Sequence, residues 1–410
     1  MRGWMARCLF SLALAGATAS ATGMSATPTP TRVAILGVEH AAQLVSERDQ
    51  PGVLAAFLEQ LAPDAVCIER PPEQAARGDY YEYTYEVQGV ILPYAATHAV
   101  AVCPIDWMPP VEDARLGFGM DLDTPLELRR EQGFQGFLAF PDKAALQRDF
   151  FAADAAENLA AVQKWAQTPA PRADQDLPRR LYLYRTFLQA QRIRAAALAH
   201  PGKTVLVVVG YFHKPDLEAI LAHDPAIALV KPSTLGRPTA DAVERATTAT
   251  QRAAILAFNL LGAQADTGNV DWAWMTHVLD TYATEAPAAE TALLRTRLAL
   301  LRGQIAPAEA RRRYARLAEE TPAALAFGWT GVQDRTRVDS FFDPFGNLTV
   351  RQRATLELAR TDYALGRNRD GEAAIARLKA DLSPRKALQL SGYAARLLPA
   401  TGKGTAGITK

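Results

Sequence analysis

Apolar residues in the first 230 positions fall into short, β-branched runs separated by amphipathic stretches. Val33-Ala34-Ile35-Leu36 and Thr204-Val205-Leu206-Val207-Val208-Val209 are apolar without alternation, as strands covered on both faces are. Shorter runs of the same kind predict strands at 65–69, 99–105 and near 226–230. Between them, helical spacing takes over. Val53, Leu54, Phe57, Leu58 and Leu61 predict a helix over 51–62. Further helices are predicted around 80–97, 143–167, 177–199 and 215–222, and the Pro/Gly-rich stretch 107–142 reads as irregular. Strands alternating with helices predict a mainly parallel α/β sheet flanked by helices, built from right-handed crossovers over 32–232.

The pattern changes beyond this point. Residues 239–398 lack strand runs and carry Ala, Leu and Arg at helical spacing. A faint repeat is present. Arg297 to Gly303 and Arg360 to Gly366 each lead from one helix through a glycine turn into a second helix with a proline after it. This resembles a tetratricopeptide hairpin. The insertion Phe327 to Leu348 separates the copies. Two units are too few for a free-standing solenoid, so the helices are expected to pack on the α/β domain and could offer a surface to a protein partner. The last residues, 399–410, are expected to be a flexible tail.

The candidate chemistry lies at strand ends, where open parallel sheets carry their ligands. Two Gly-x-x-His motifs, Gly37-Val38-Glu39-His40 and Gly210-Tyr211-Phe212-His213, each follow a strand run. The 65–69 run ends on Glu69 before two prolines, and the 99–105 run ends on Asp106. Four adjacent strands ending on His, Glu, Asp and His would gather these side chains at one rim. Two histidines and a carboxylate suit either a divalent transition metal or a metal-free acid/base site. The structural alternatives are imidazoles capping strand ends, a Glu69–arginine salt bridge, and Asp106 capping a loop. Glu39 is a secondary catalytic candidate, because on an extended segment it points away from His40. In Tyr80 to Glu86, Tyr81 and Tyr85 would share a helical face, as a substrate wall or an ordinary amphipathic surface.

Composition narrows the classes. The chain has 410 residues, with 45 Lys+Arg against 44 Asp+Glu. With no basic block, nucleic acid is a poor partner. The N-terminus reads as a secretory signal peptide over 1–21, with Arg2 and Arg7, an apolar Cys8–Ala19 stretch and an Ala19-Ser20-Ala21 cleavage site, followed by a polar linker over 22–31. The mature protein is therefore expected to be secreted or periplasmic, with no membrane span. Cys67 and Cys103 are expected to be buried free thiols, since neighbouring strands seldom meet the geometric demands of a bridge. Walker, Rossmann, Gly-x-Ser-x-Gly, His-Glu-x-x-His and Cys-x-x-Cys motifs are all absent from the sequence.

With His40, His213 and Glu69 in this order, the first 230 positions resemble the TraB/Tiki superfamily, whose relatives include ChaN-like and erythromycin-esterase-like proteins. The family pattern Arg-Asn-x-x-Met-Ala-x-x-Ile before the second motif is matched here by Arg185-Thr186-Phe187-Leu188-Gln189-Ala190-Gln191-Arg192-Ile193. Thr186 and Gln189 depart from it. The family's Gly-Ala-Gly-His-Leu-Pro-Gly becomes Gly210-Tyr211-Phe212-His213-Lys214-Pro215-Asp216. The resemblance implies a hydrolase acting on a peptide, amide or ester bond of a peptide or small-molecule substrate. His40, His213 and Glu69 would hold Mn, Co, Fe or Zn, and Arg185 would stabilise negative charge. It equally admits a non-enzymatic protein that binds haem or peptide, or a regulator.

Overall fold

The computed structural model describes residues 29–118, 142–262 and 264–398. The expected signal peptide, most of the linker and the C-terminal tail lie outside the described residues. Five strands form one all-parallel sheet: β1 (Thr31–Val38), β2 (Ala65–Ile68), β3 (Ala101–Pro104), β4 (Thr204–Gly210) and β5 (Ile227–Val230). Their spatial order is β3-β2-β4-β1-β5. The chain leaves β1, passes over the place later filled by β4 to lay down β2, and returns at β4. The sheet's switch point therefore falls at the central strands, where both Gly-x-x-His motifs end.

Each strand of the sheet's centre buries both faces, as its unbroken apolar run requires. Val33, Ile35, Val205 and Val207 pack on one side against Ala190, Ile193 and Ala197 of the helix Leu177–Ala199. Their neighbours Ala34, Leu36, Leu206 and Val208 pack on the other side with Phe57 and Leu58 of the helix Pro51–Leu61. That second core continues without a break into Leu256, Trp274, Leu293 and Leu358. The helical half thus shares the core on that side of the sheet. The two glycine turns behave as expected. Gly303 and Gly366, at φ 67° and 72°, close hairpins between Ala288–Leu301 and Pro307–Glu320 and between Val350–Ala364 and Asn368–Ala380. Positive φ favours glycine because it has no Cβ. No helix among the described residues is long and apolar enough to cross a membrane.

Four expectations need correction. Within the stretch 107–142 that reads as irregular, Val111–Phe118 is an α-helix. Cys67 and Cys103 are joined by a disulfide. They stand directly opposite one another in the β2–β3 register, with Cα atoms 4.3 Å apart, and here the neighbouring strands do meet the geometry of a bridge. The helix expected from residue 80 is absent up to Thr84. The Tyr81 carbonyl accepts from the Thr84 hydroxyl and from Gln88 Nε2, and such local bonds compete with helix formation. Tyr81 and Tyr85 therefore do not share a helical face. The helix expected over 143–167 is two 3-10 turns followed by Ala156–Gln167.

Candidate active site

The strand order sets Asp106, Glu69, His213 and His40 side by side along one rim, at the ends of β3, β2, β4 and β1. Glu69 is the hub. His40 Nε2 lies 3.7 Å from its Oε2, and His213 Nε2 lies 3.7 Å from its Oε1. Arg185 arrives from the helix behind. It donates from Nη2 to Glu69 Oε1 (2.7 Å) and to Asp106 Oδ2 (2.7 Å), and from Nε to Asp106 Oδ1 (2.6 Å). Asp106 is fully buried and also accepts from Gln189 Nε2 at 2.9 Å. It is thus an anchor for Arg185, not a loop cap. The Glu69–arginine salt bridge considered as a structural alternative is present within the same cluster.

The motif glycines have a reciprocal reason. A Cβ on Gly210 would lie 3.0 Å from His40 Nε2 and 3.2 Å from Glu69 Oε2. A Cβ on Gly37 would meet the Tyr211 Cα at 3.0 Å and the Ala153 Cβ at 2.7 Å. Each glycine makes room for the other motif. The missing side chain at Gly210 also lets its backbone N–H reach Glu69 Oε2, at 2.5 Å. His40 itself sits at φ 47°, a left-handed conformation that costs a non-glycine residue about 1–2 kcal/mol. The surrounding contacts must hold it there.

The hydrogen bonds fix the proton positions on both rings. The Thr186 hydroxyl donates to the Tyr182 carbonyl at 2.8 Å. Its oxygen therefore accepts the 2.7 Å bond from His213 Nδ1. His213 carries its proton on Nδ1 and turns the Nε2 lone pair toward Glu69. Burial lowers its pKa to about 4 despite nearby Glu69, so the ring is neutral. His40 donates from Nδ1 to Glu86 Oε1 at 2.8 Å. Burial pulls its pKa down, but Glu86, by charge and hydrogen bond, and Glu69 outweigh this and raise it to about 9. One carboxylate thus stands between a neutral imidazole and an imidazolium, a separation suited to acid/base work. Burial opposes the charge on Arg185, yet Asp106 and Glu69 hold it firmly protonated. Arg185 in turn depresses the pKa of Asp106 against the effect of burial.

Glu39 is not brought into this cluster. Its carboxylate pairs with Arg148 Nη1 at 2.9 Å. Three contributors escaped the sequence reading. Glu86 lay within the aromatic stretch and carried no motif. Thr186 and Gln189 are the two departures from the family pattern, and both touch the site. The spacing of Gln189 from Arg185 was the available signal, since position i+4 shares the arginine's helix face, whereas Thr186 at i+1 does not.

The donor set partly fits a metal. Both imidazoles direct Nε2 to one carboxylate while an oxygen holds Nδ1, as in histidine ligands. Glu69, however, spends its oxygens on Arg185 and the Gly210 N–H. Among the described residues no group of three or more His, Cys, Asp or Glu is arranged to hold a metal ion. No family model, curated protein or solved structure matches the chain, so the TraB/Tiki resemblance rests on the motif residues themselves.

Proposed function

We propose that the chain is an exported hydrolase of the TraB/Tiki type that cleaves a peptide, amide or ester bond by acid/base catalysis. The observation that carries this reading is the placement of His213 Nε2 and His40 Nε2, each 3.7 Å from a different oxygen of Glu69, with Nδ1 of one ring held by the Thr186 hydroxyl and Nδ1 of the other by the Glu86 carboxylate. His213 Nε2 takes a proton from water as the water attacks the substrate carbonyl. The His40 imidazolium gives its Nε2 proton to the departing oxygen or nitrogen as the carbonyl–heteroatom bond breaks. Solvent then removes the proton from His213 and returns one to His40. Thr186 orients the His213 ring, Glu86 and the charge of Glu69 hold the His40 imidazolium, and Arg185, itself anchored on Asp106, fixes Glu69 from behind. The oxyanion role expected for Arg185 gives way to positioning, since its Nε and Nη2 are bound to carboxylates.

A second reading uses the same residues with a divalent metal, and the oxygen-held Nδ1 atoms favour it. His40, His213 and Glu69 would hold the ion, which would supply Lewis-acid polarisation. A panel of peptide, amide and ester substrates, run with wild type and His213→Ala and with and without chelator, tests both readings. Activity in the wild type that chelation leaves intact and His213→Ala loses supports acid/base hydrolysis. Loss on chelation with recovery on adding Mn, Co, Fe or Zn supports the metal. A folded wild type that cleaves nothing, or a Soret band in the purified protein, favours the non-enzymatic binding protein.

A further inference from the structure

The geometry points to Arg148 as a positioning residue that clamps both Gly-x-x-His loops at once. Its guanidinium pairs with Glu39, the residue before His40, at 2.9 Å. The same group lies over the Tyr211 ring, 5.2 Å from its centroid, and Tyr211 follows Gly210 in the second motif. Arg148 Nε also stands 3.3 Å from Asp49, a buried carboxylate. The Arg148 carbonyl accepts from Ser46 Oγ at 2.8 Å. One side chain thus touches an intervening residue of each motif, and its neighbours tie it to the segment that follows His40.

This placement matters because the His40 backbone is strained. A left-handed non-glycine residue persists only where its surroundings over-determine it. Glu86 holds the His40 ring, and the Glu39–Arg148 pair holds the peptide just before it. Gly37 packs on the Tyr211 backbone and Gly210 on the His40 ring, so slack in either loop moves both imidazoles. Arg148 is only 14 % exposed. A planar guanidinium can pair with a carboxylate while lying over a ring, which an ammonium does less well. Arg148 stands outside the hydrogen bonds that join Glu69, Asp106 and Arg185, so it acts through the loops.

Its kinetic consequence rests on the hydrolytic reading, whereas its spectroscopic consequence does not. Arg148→Met and the milder Glu39→Gln are compared with wild type in two assays, with Arg148→Lys as the conservative variant. In imidazole NMR titrations, Arg148→Met is expected to shift the pKa of both His40 and His213. Glu39→Gln is expected to do the same more weakly, and Arg148→Lys to restore part of the wild-type behaviour. In hydrolysis, kcat is expected to fall about tenfold to hundredfold, the scale of an ångström-sized misplacement, with KM little changed. Arg148→Met and Glu39→Gln should be non-additive in the double variant, because they cut one link. If Arg148→Met and Glu39→Gln lower only thermal stability, with both imidazoles titrating as in wild type, the clamp is overturned. If Arg148→Met does not fold, Glu39→Gln alone decides between these outcomes. A wild type without hydrolytic activity removes the function but leaves the titration to judge the clamp.

Discussion

Replacing Arg185 by methionine removes the cation shared by Glu69 and Asp106 while keeping most of the apolar stem. Asp106 is fully buried and Glu69 is 4 % exposed. Three charge-assisted bonds of 2.6–2.7 Å disappear, and Asp106 keeps Gln189 as its main side-chain donor. Breaking a buried pair from one side costs about 3–5 kcal/mol, mostly through the charge left behind. Urea denaturation at pH 7 should show a loss of that size for Arg185→Met. Adding Asp106→Asn should recover about 1–2 kcal/mol of it, because a buried amide is cheaper than a buried unpaired carboxylate. The pH dependence has a definite sign. In the wild type the Asp106 pKa is depressed, so its contribution is present above the unfolded pKa and lost as pH falls through the folded one. In Arg185→Met burial, the largest influence on that pKa, loses its main opponent and keeps only the weaker one of the Gln189 bond and the neighbouring His213, so the pKa rises and the variant's deficit should shrink on acidification. A loss under about 1 kcal/mol at pH 7, or a deficit that grows toward acid, would refute the view of Arg185 as the anchor of the two carboxylates.

Two further perturbations follow from the same geometry. Thr186→Val removes the acceptor of the His213 Nδ1 proton; about 1–3 kcal/mol of stability should be lost, and 15N shifts should show the Nε2–H tautomer appearing. Reducing the Cys67–Cys103 disulfide, which closes a loop of sequence separation 36, should cost about 4 kcal/mol by loop entropy; chemical denaturation with and without reductant measures it, and an unchanged midpoint would contradict it.

The rim was legible because strand runs and glycine punctuation are local signals. Val33–Leu36 and Val205–Val209 announce central strands, and residues just past them must sit at the sheet's end. Four of the six candidate residues needed only that argument. The contributors outside it are long-range. Glu86 reaches His40 from a helix 46 positions away, and nothing in its own neighbourhood distinguishes it from a solvated glutamate. The Cys67–Cys103 bridge depended on register, which periodicity does not supply. It follows from β2 and β3 lying side by side with the two cysteines at the same level. Glu39 lies outside the cluster and turns to Arg148, yet not along an extended segment, since it stands past the end of β1 with its backbone at φ −110° and ψ 31°.

The most direct test of the account is the pH dependence of kcat/KM for any substrate the panel yields, measured for wild type beside His40→Gln. The base must be neutral and the acid protonated. Activity should therefore rise through the His213 pKa of about 4 and fall through the His40 pKa of about 9. Between about pH 5 and 8 the wild-type profile should be flat, and His40→Gln should lose the alkaline limb along with most of the rate. A wild-type profile that breaks near the ordinary histidine value of about 6.5, or an alkaline limb unchanged in His40→Gln, would contradict the assignment of His213 as base and His40 as acid.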